Sequence, residues 1–197
     1  MSQVDWMVLA LLAVVLIWVV SAYNRLVVLR NRIANAFGQI DVQLKRRHDL
    51  VPNLVEAARG YLKHEAGTLE AVIKARAQAL GAAQAAREAP GDAARMGQLA
   101  QAEALLGGSL GRLMVLTENY PELKADATMR ELSEELTSTE NRIGFARQAY
   151  NDQVLEFNDA ATQFPALVVA RLFGFGAAPM LRSTQSAEER EVPRVQF

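Results

Sequence analysis

Residues 6–24 carry no charge and read WMVLALLAVVLIWVVSAYN. No other feature narrows the possible structures so much, because a stretch this apolar and this long is more stable in hydrocarbon than in water. The 18 residues 6–23 make about 27 Å of α-helix, against a hydrocarbon core of roughly 30 Å. Ten of them are Leu, Ile or Val, and at about 0.3–0.6 kcal/mol each these favour insertion by about 3–6 kcal/mol. Trp6 and Tyr23 stand at opposite ends of the run, where amphipathic rings favour the headgroup level. Trp18, a turn and a half inside, fits that belt less well. A cleaved signal peptide ending at Val20-Ser21-Ala22 is the rival reading, but residues 1–5 hold an acid and no Lys or Arg, so the usual basic leader is missing.

The flanks predict orientation. Arg25, Arg30 and Arg32 follow the run closely, and no acid appears until Asp41, whereas the N-terminal flank holds only Asp5. The positive-inside rule then places the N-terminus outside and everything after residue 24 in the cytoplasm. With no cysteine in the chain, a disulfide framework, a thiolate metal site and a cysteine nucleophile are all excluded. The net charge of −1 hides an asymmetry. Residues 24–76 carry ten Lys/Arg against five Asp/Glu, and residues 77–197 carry eleven against sixteen. A basic membrane-proximal half suits an anionic leaflet, making membrane lipids the first expected partner. A nucleic-acid partner is not expected, since that calls for one contiguous basic face and a high pI.

Beyond the apolar run, apolar residues recur at spacings of three and four, which predicts an all-α fold. Leu26, Leu29, Ile33, Phe37, Ile40 and Leu44 continue directly from the membrane helix. Asp49 and Pro52 read as the cap and first turn of a second helix, whose stripe is Leu54, Ala58, Leu62, Leu69, Val72, Ile73 and Leu80. Pro90-Gly91 marks a turn, and Asp92 caps a third helix with Met96, Leu99, Leu106, Leu110, Leu113 and Leu116. Asp126 opens the most regular helix, with Met129, Leu132, Leu136, Thr139, Ile143, Ala146, Tyr150, Val154 and Phe157 in nearly heptad rhythm. The expected architecture is a single transmembrane helix followed by an elongated, antiparallel, up-and-down four-helix bundle, a rod about 50 Å long. The domain layout is a short extracytoplasmic segment (1–5), a membrane helix (6–23), a cytoplasmic bundle (24–175) and a flexible tail (176–197). The apolar residues 166–175 fit a short capping helix, a partner patch or a lipid patch.

The catalytic inventory is thin. Of the two histidines, His64 begins a zincin-like His-Glu pair but lacks the second His one turn on. His48 falls in Lys45-Arg46-Arg47-His48, near an expected helix C-terminus that favours cations. This cluster lies some 30–35 Å beyond the membrane, too far to feel the leaflet. Glu131, Glu134 and Glu135 are its candidate partners. Gly107, Gly108 and Gly111 read as a close helix contact or a kink rather than a phosphate cradle. No catalytic, cofactor or metal residue is nominated, and no cofactor is expected.

Asparagines stand out within the helices: Asn24, Asn31, Asn35, Asn53, Asn141, Asn151 and Asn158. The pairs 24/31 and 151/158 each share one helix face, and poor helix formers used repeatedly suggest interhelical hydrogen bonds that fix register.

These residues lie in longer motifs: Tyr23-Asn-Arg-Leu-Val-Val-Leu-Arg-Asn31, Asn35-Ala-Phe-Gly-Gln-Ile-Asp-Val-Gln-Leu-Lys-Arg-Arg47 (with Asp41 at its centre), and Asp49-Leu-Val-Pro-Asn-Leu-Val-Glu56 (with Pro52 and Asn53). Tyr61-Leu-Lys-His-Glu65, Glu118-Asn-Tyr-Pro-Glu-Leu-Lys124, Thr139-Glu-Asn-Arg-Ile143 (with Glu140, Asn141 and Arg142), Tyr150-Asn151 and Phe173-Gly-Phe175 complete the set. Over residues 23–175 the chain resembles the LemA family of bacterial membrane-anchored helical proteins. Phe37-Gly38 and His48 depart from the family's commoner Trp-Ser and Tyr. The resemblance implies a single membrane helix, a four-helix bundle, no known catalysis and an inner-membrane address. It also suggests neighbours such as a membrane metalloprotease or a small membrane protein with a phosphatase-like domain.

The leading functional expectation is a non-enzymatic scaffold or assembly factor that binds other membrane proteins or forms a homo-oligomer. The alternative is a membrane-organising protein acting on lipid through its basic flank and residues 166–175, and an enzyme comes last.

Overall fold

The computed structural model describes residues 3–181, and among these every regular element is a helix: α1 (Gln3–Arg59), α2 (Ala66–Glu88), α3 (Ala93–Glu118), α4 (Pro121–Ala125), α5 (Ala127–Thr162) and α6 (Ala166–Leu172). The segment expected to enter the membrane and the first bundle helix are one element. α1 runs unbroken for 57 residues, about 85 Å at 1.5 Å per residue. It is long and apolar enough at its N-terminal end to cross a bilayer, and none of that window is buried in protein.

Asp49 and Pro52, expected to open a second helix, lie inside α1. An interior proline removes the N–H that would reach the carbonyl four residues back, here that of His48. Arg76 of α2 supplies the missing donor, its Nε–H reaching the His48 oxygen at 2.6 Å. The chain turns instead at residues 60–65. α2 then buries Leu69, Val72, Ala75, Ala79, Ala83 and Ala86, so Ile73 and Leu80, assigned to the core from spacing, face outward. Both sets fit a helical period, and the alanine face is the one placed against the neighbouring helices.

The other two expected caps, Asp92 and Asp126, stand where the sequence put them. The Asp92 carboxylate accepts from the Arg95 N–H at 2.8 Å, and that of Asp126 from the Met129 N–H at 2.9 Å. Each satisfies one of the orphan donors of a helix start. In space the long helices run in the order α5, α1, α2, α3, each packed on the next. α3 faces α5 across an open groove lined from both sides. On α5, Met129, Thr139, Ile143, Tyr150, Val154 and Phe157 are buried, whereas Leu132, Leu136 and Ala146 are half-buried at the core's edge.

The apolar interior is divided. One cluster extends from Leu26 to Leu44 on α1 and takes in Ala83, Met96, Leu99, Ile143, Tyr150, Phe157 and Val169. The other begins at Val51 and takes in Leu54, Leu62, Val72, Leu106, Leu113, Leu123 and Met129. Arg47 and His48 sit between them, both buried.

Residues 166–175 form α6 and its exit, docked on α5 and α1. Residues 176–181, expected to trail as the start of a flexible tail, lack regular structure but are pinned along α5. The amide of Asn158 both donates to and accepts from the backbone of Ala178, at 3.0 and 2.8 Å. That of Asn151 does the same with Leu181, at 2.9 Å each way. The remainder of that expected tail, 182–197, lies outside the described residues.

Candidate functional site: a charge layer beneath the α3–α5 groove

On α1 the core stripe passes from Leu44 to Val51 through Arg47 and His48, three and four residues after Leu44 and therefore on its face. A guanidinium and an imidazole are thus carried into the interior, where charge is costly unless paired. Glu103 of α3 meets both. One carboxylate oxygen lies 2.7 Å from Nε2 of His48 and the other 3.4 Å from Nη1 of Arg47. Because a carboxylate only accepts, Nε2 carries the proton of that contact. Glu140 of α5 completes the layer, 2.9 Å from the same Nη1 of Arg47. Three helices are therefore tied through one buried arginine.

Gly107 makes room for that arginine: a Cβ there would lie 3.2 Å from Nη2 of Arg47. The close approach read from the sequence at this glycine is thus to a side chain. Nε of Arg47 is buried without a partner. Above the layer opens a groove of about 360 Å³, floored by Ile40, Leu44 and Arg47 of α1 and walled by Glu103 and Ala104 of α3 with Glu140 and Arg147 of α5. None of its lining residues carries a hydroxyl or thiol nucleophile, and among the described residues no cluster of His, Asp and Glu is disposed to hold a metal ion. The arrangement offers a partner an apolar floor, charges of both signs on the rim and a half-satisfied donor below.

The other nominated residues divide into tied and exposed. Asp41 holds Arg87 of α2 at 3.0 Å, and Arg46 pairs with Glu135, one of its expected partners, through Nε at 2.9 Å. Arg32 reaches Glu156 at 3.4 Å. Arg47 and His48, expected with Lys45 and Arg46 near a helix C-terminus, turn inward because they share the stripe. The Tyr150 hydroxyl lies 3.2 Å from the Pro90 carbonyl and 3.0 Å from that of Pro179. It so bridges the α2–α3 turn and the pinned strap, and burial pushes its phenol up to about 12. Asn24, Asn31, Asn35, Asn53, Asn141 and Arg142 are exposed and bridge no helices, contrary to the expected interhelical bonds. Asn151 and Asn158 bond the strap rather than another helix. Arg25, Arg30 and Trp6 are also exposed, and Tyr23 lies edge-on to Phe173 and Phe175, with centroids at 4.9 and 5.6 Å. The sequence reading missed Glu103, Arg76 and the inward turn of Arg47 and His48. Two charged residues interrupting an apolar stripe at its own period were the available signal.

The family model of the LemA family matches residues 36–197, most of the chain. The chain belongs to the LemA family. The charge layer, the Asp41–Arg87 tie and the Tyr150–Asn151 clasp all fall inside the matched range. Among curated relatives, Magnetosome protein MamQ of Magnetospirillum gryphiswaldense is 32% identical over 85 residues, covering 43% of this chain and 31% of its own length. Magnetosome proteins MamQ 1 and MamQ 2 of Paramagnetospirillum magneticum are each 26% identical over 189 residues, covering 87% of this chain and 70% of theirs. The chain is thus a membrane-associated LemA-family protein, similar across much of its length to magnetosome proteins.

Proposed function

We propose that this protein is a non-enzymatic scaffold of a bacterial inner membrane, with its N-terminus outside and its bundle in the cytoplasm, holding a segment of a partner membrane protein in the α3–α5 groove. The observation that carries this reading is the continuity of α1. The segment in the bilayer and the floor of the groove belong to one helix, with no joint between them, so the groove stands at a fixed height of roughly 30 Å above the membrane. A rigid arm with a binding face at constant height is what an assembly factor needs, and a self-contained catalyst has no use for it. The mixed charges Arg47, Glu103, Glu140 and Arg147 favour a segment with polar groups of both signs over a purely apolar one. The basic residues Arg25, Arg30 and Arg32 support the orientation.

A photo-crosslinking residue placed at Ala104 or Gly108, on the groove wall, should yield discrete protein adducts in intact cells. The same residue at outward-facing Ile73 should not. Lipid adducts alone, or equal labelling at all three positions, would overturn the groove as a partner site.

A further inference from the structure

Helix α6 and the turn before it lie beside the last part of the apolar run. Phe164 and Pro165 share a cleft with Trp18, Ser21 and Ala22 of α1. Phe173 packs edgewise on Tyr23, and Val19 and Ala22 are partly covered by the membrane-proximal core. Trp18 lies five residues before Tyr23, about 7.5 Å of helix rise. If Tyr23 marks the headgroup level, the 163–166 turn is already below it.

The segment's chemistry matches that depth. Val169 and Ala170 are buried against the bundle, yet the opposite side is apolar too: Phe164 is 84% exposed, Val168 57%, Leu172 74% and Phe173 51%. Val168 and Leu172 are four apart on α6 and share its outer face, and Phe164 adds an exposed ring in the turn just before it. A helix apolar on both sides must be buried on both sides. Arg171 is the single charged residue of residues 160–181, and its long stem lets the guanidinium reach headgroups while the ring neighbours stay below.

We infer that residues 164–173 form a second membrane contact. Their outer face is covered by lipid of the leaflet from which α1 emerges, at the boundary between headgroups and acyl chains. Amphipathic helices that lie in this boundary bury their apolar face by about 5–10 Å, the same depth as the step from Tyr23 to Trp18. The surface is continuous with the lipid-facing surface of α1, which is why lipid rather than a protein partner is the occupant. Trp18, too deep for a simple belt, then has a place beside Phe164 in an aromatic cluster at the true interface. The contact does not depend on what the groove binds.

The chain contains no cysteine, so single-cysteine variants of the whole protein can carry an environment-sensitive fluorophore. We would label Phe164→Cys, Val168→Cys and Leu172→Cys, with Tyr23→Cys as the interface reference and Phe145→Cys, exposed on α5 away from the span, as the aqueous reference. The protein is reconstituted into phosphatidylethanolamine/phosphatidylglycerol vesicles with and without lipid spin-labelled high on the acyl chain. Emission at 164, 168 and 172 should shift to the blue and be quenched by the spin label as at 23, while 145 stays red-shifted and unquenched. Spectra at all three test positions resembling 145 would overturn the inference. A blue shift without quenching would also overturn it, since protein, a second copy of the chain, would then be the cover. Helical circular dichroism matching the unlabelled protein confirms that each variant is folded.

Discussion

The proline inside α1 allows a sharp test of how the core is satisfied. Replacing Arg76 by Met keeps the length and apolar stem of the side chain but removes the donor that reaches the His48 carbonyl at 2.6 Å. Pro52 has no N–H to offer in its place, so the carbonyl loses its partner next to a residue that is 1% exposed. A charge-assisted hydrogen bond lost in this way costs about 1.5–3 kcal/mol. Pro52 itself is exposed, so Pro52→Ala removes little packing while restoring the ordinary helical bond to His48. The interior-proline penalty is about 3 kcal/mol, and Arg76 already recovers about half, so Pro52→Ala should stabilise by about 1–2 kcal/mol. In that background Arg76→Met should cost less than about 1 kcal/mol, a coupling of more than about 0.5 kcal/mol. Denaturant unfolding of the detergent-solubilised protein, followed by helical circular dichroism, gives all four corners of the cycle. If Arg76→Met costs the same in both backgrounds within about 0.5 kcal/mol, the carbonyl was not what Arg76 served.

Three further outcomes follow from the packing. Ile143→Ala, at a fully buried site, should cost about 2–5 kcal/mol, whereas Leu136→Ala, half-buried, should cost about half as much by the same unfolding assay. The ordinary phenol value of 10.0 is raised to about 12 at Tyr150, so the unfolded chain gives up this proton from pH 10 upward while the folded chain keeps it. The stabilisation is whole below pH 10 and falls between 10 and 12 by at most about 2–3 kcal/mol; Tyr150→Phe should flatten that alkaline loss relative to the wild type. Asn158→Ala removes both bonds to Ala178, and hydrogen exchange should show that amide losing protection while the Met129 amide keeps its own. Unchanged protection at Ala178 would mean that Tyr150 and Asn151 hold the strap without Asn158.

Much of this molecule is readable along the chain because the relevant information is periodic and local. The apolar run, the stripe from Leu26 to Leu44, and Asp92 and Asp126 as caps each depend on residues within a turn or two. The misreadings share the opposite property. Pro52 looks like a helix start because its compensation comes from Arg76, 24 positions on. The α2 stripe is ambiguous because Ile73 and Ala75 both fit a helical period, and only the approach of the neighbouring helices selects the smaller side chains. Arg47 and His48 look solvated until Glu103, 55 residues downstream of His48, is placed opposite. Residues 176–181 look like loose tail because side-chain amides bonding to extended backbone leave no periodic trace in the strap itself. The groove was equally invisible, since it is a gap between α3 and α5, helices that make no such approach to each other as α1 makes to both its neighbours.

The unbroken course of α1 also makes it a lever. From Tyr23 to Arg59 the helix extends about 54 Å, so where the apolar end of α1 spans a bilayer, a change of about 10° in its tilt, well within the range seen for single spans, would sweep its far end sideways by about 9 Å. Bilayer thickness is one of the forces that set such tilt, and a thinner membrane would lean the rod over while a thicker one would stand it upright. Lipid composition would thereby be converted into the lateral reach of the 60–65 turn, with no hinge to absorb the motion on the way.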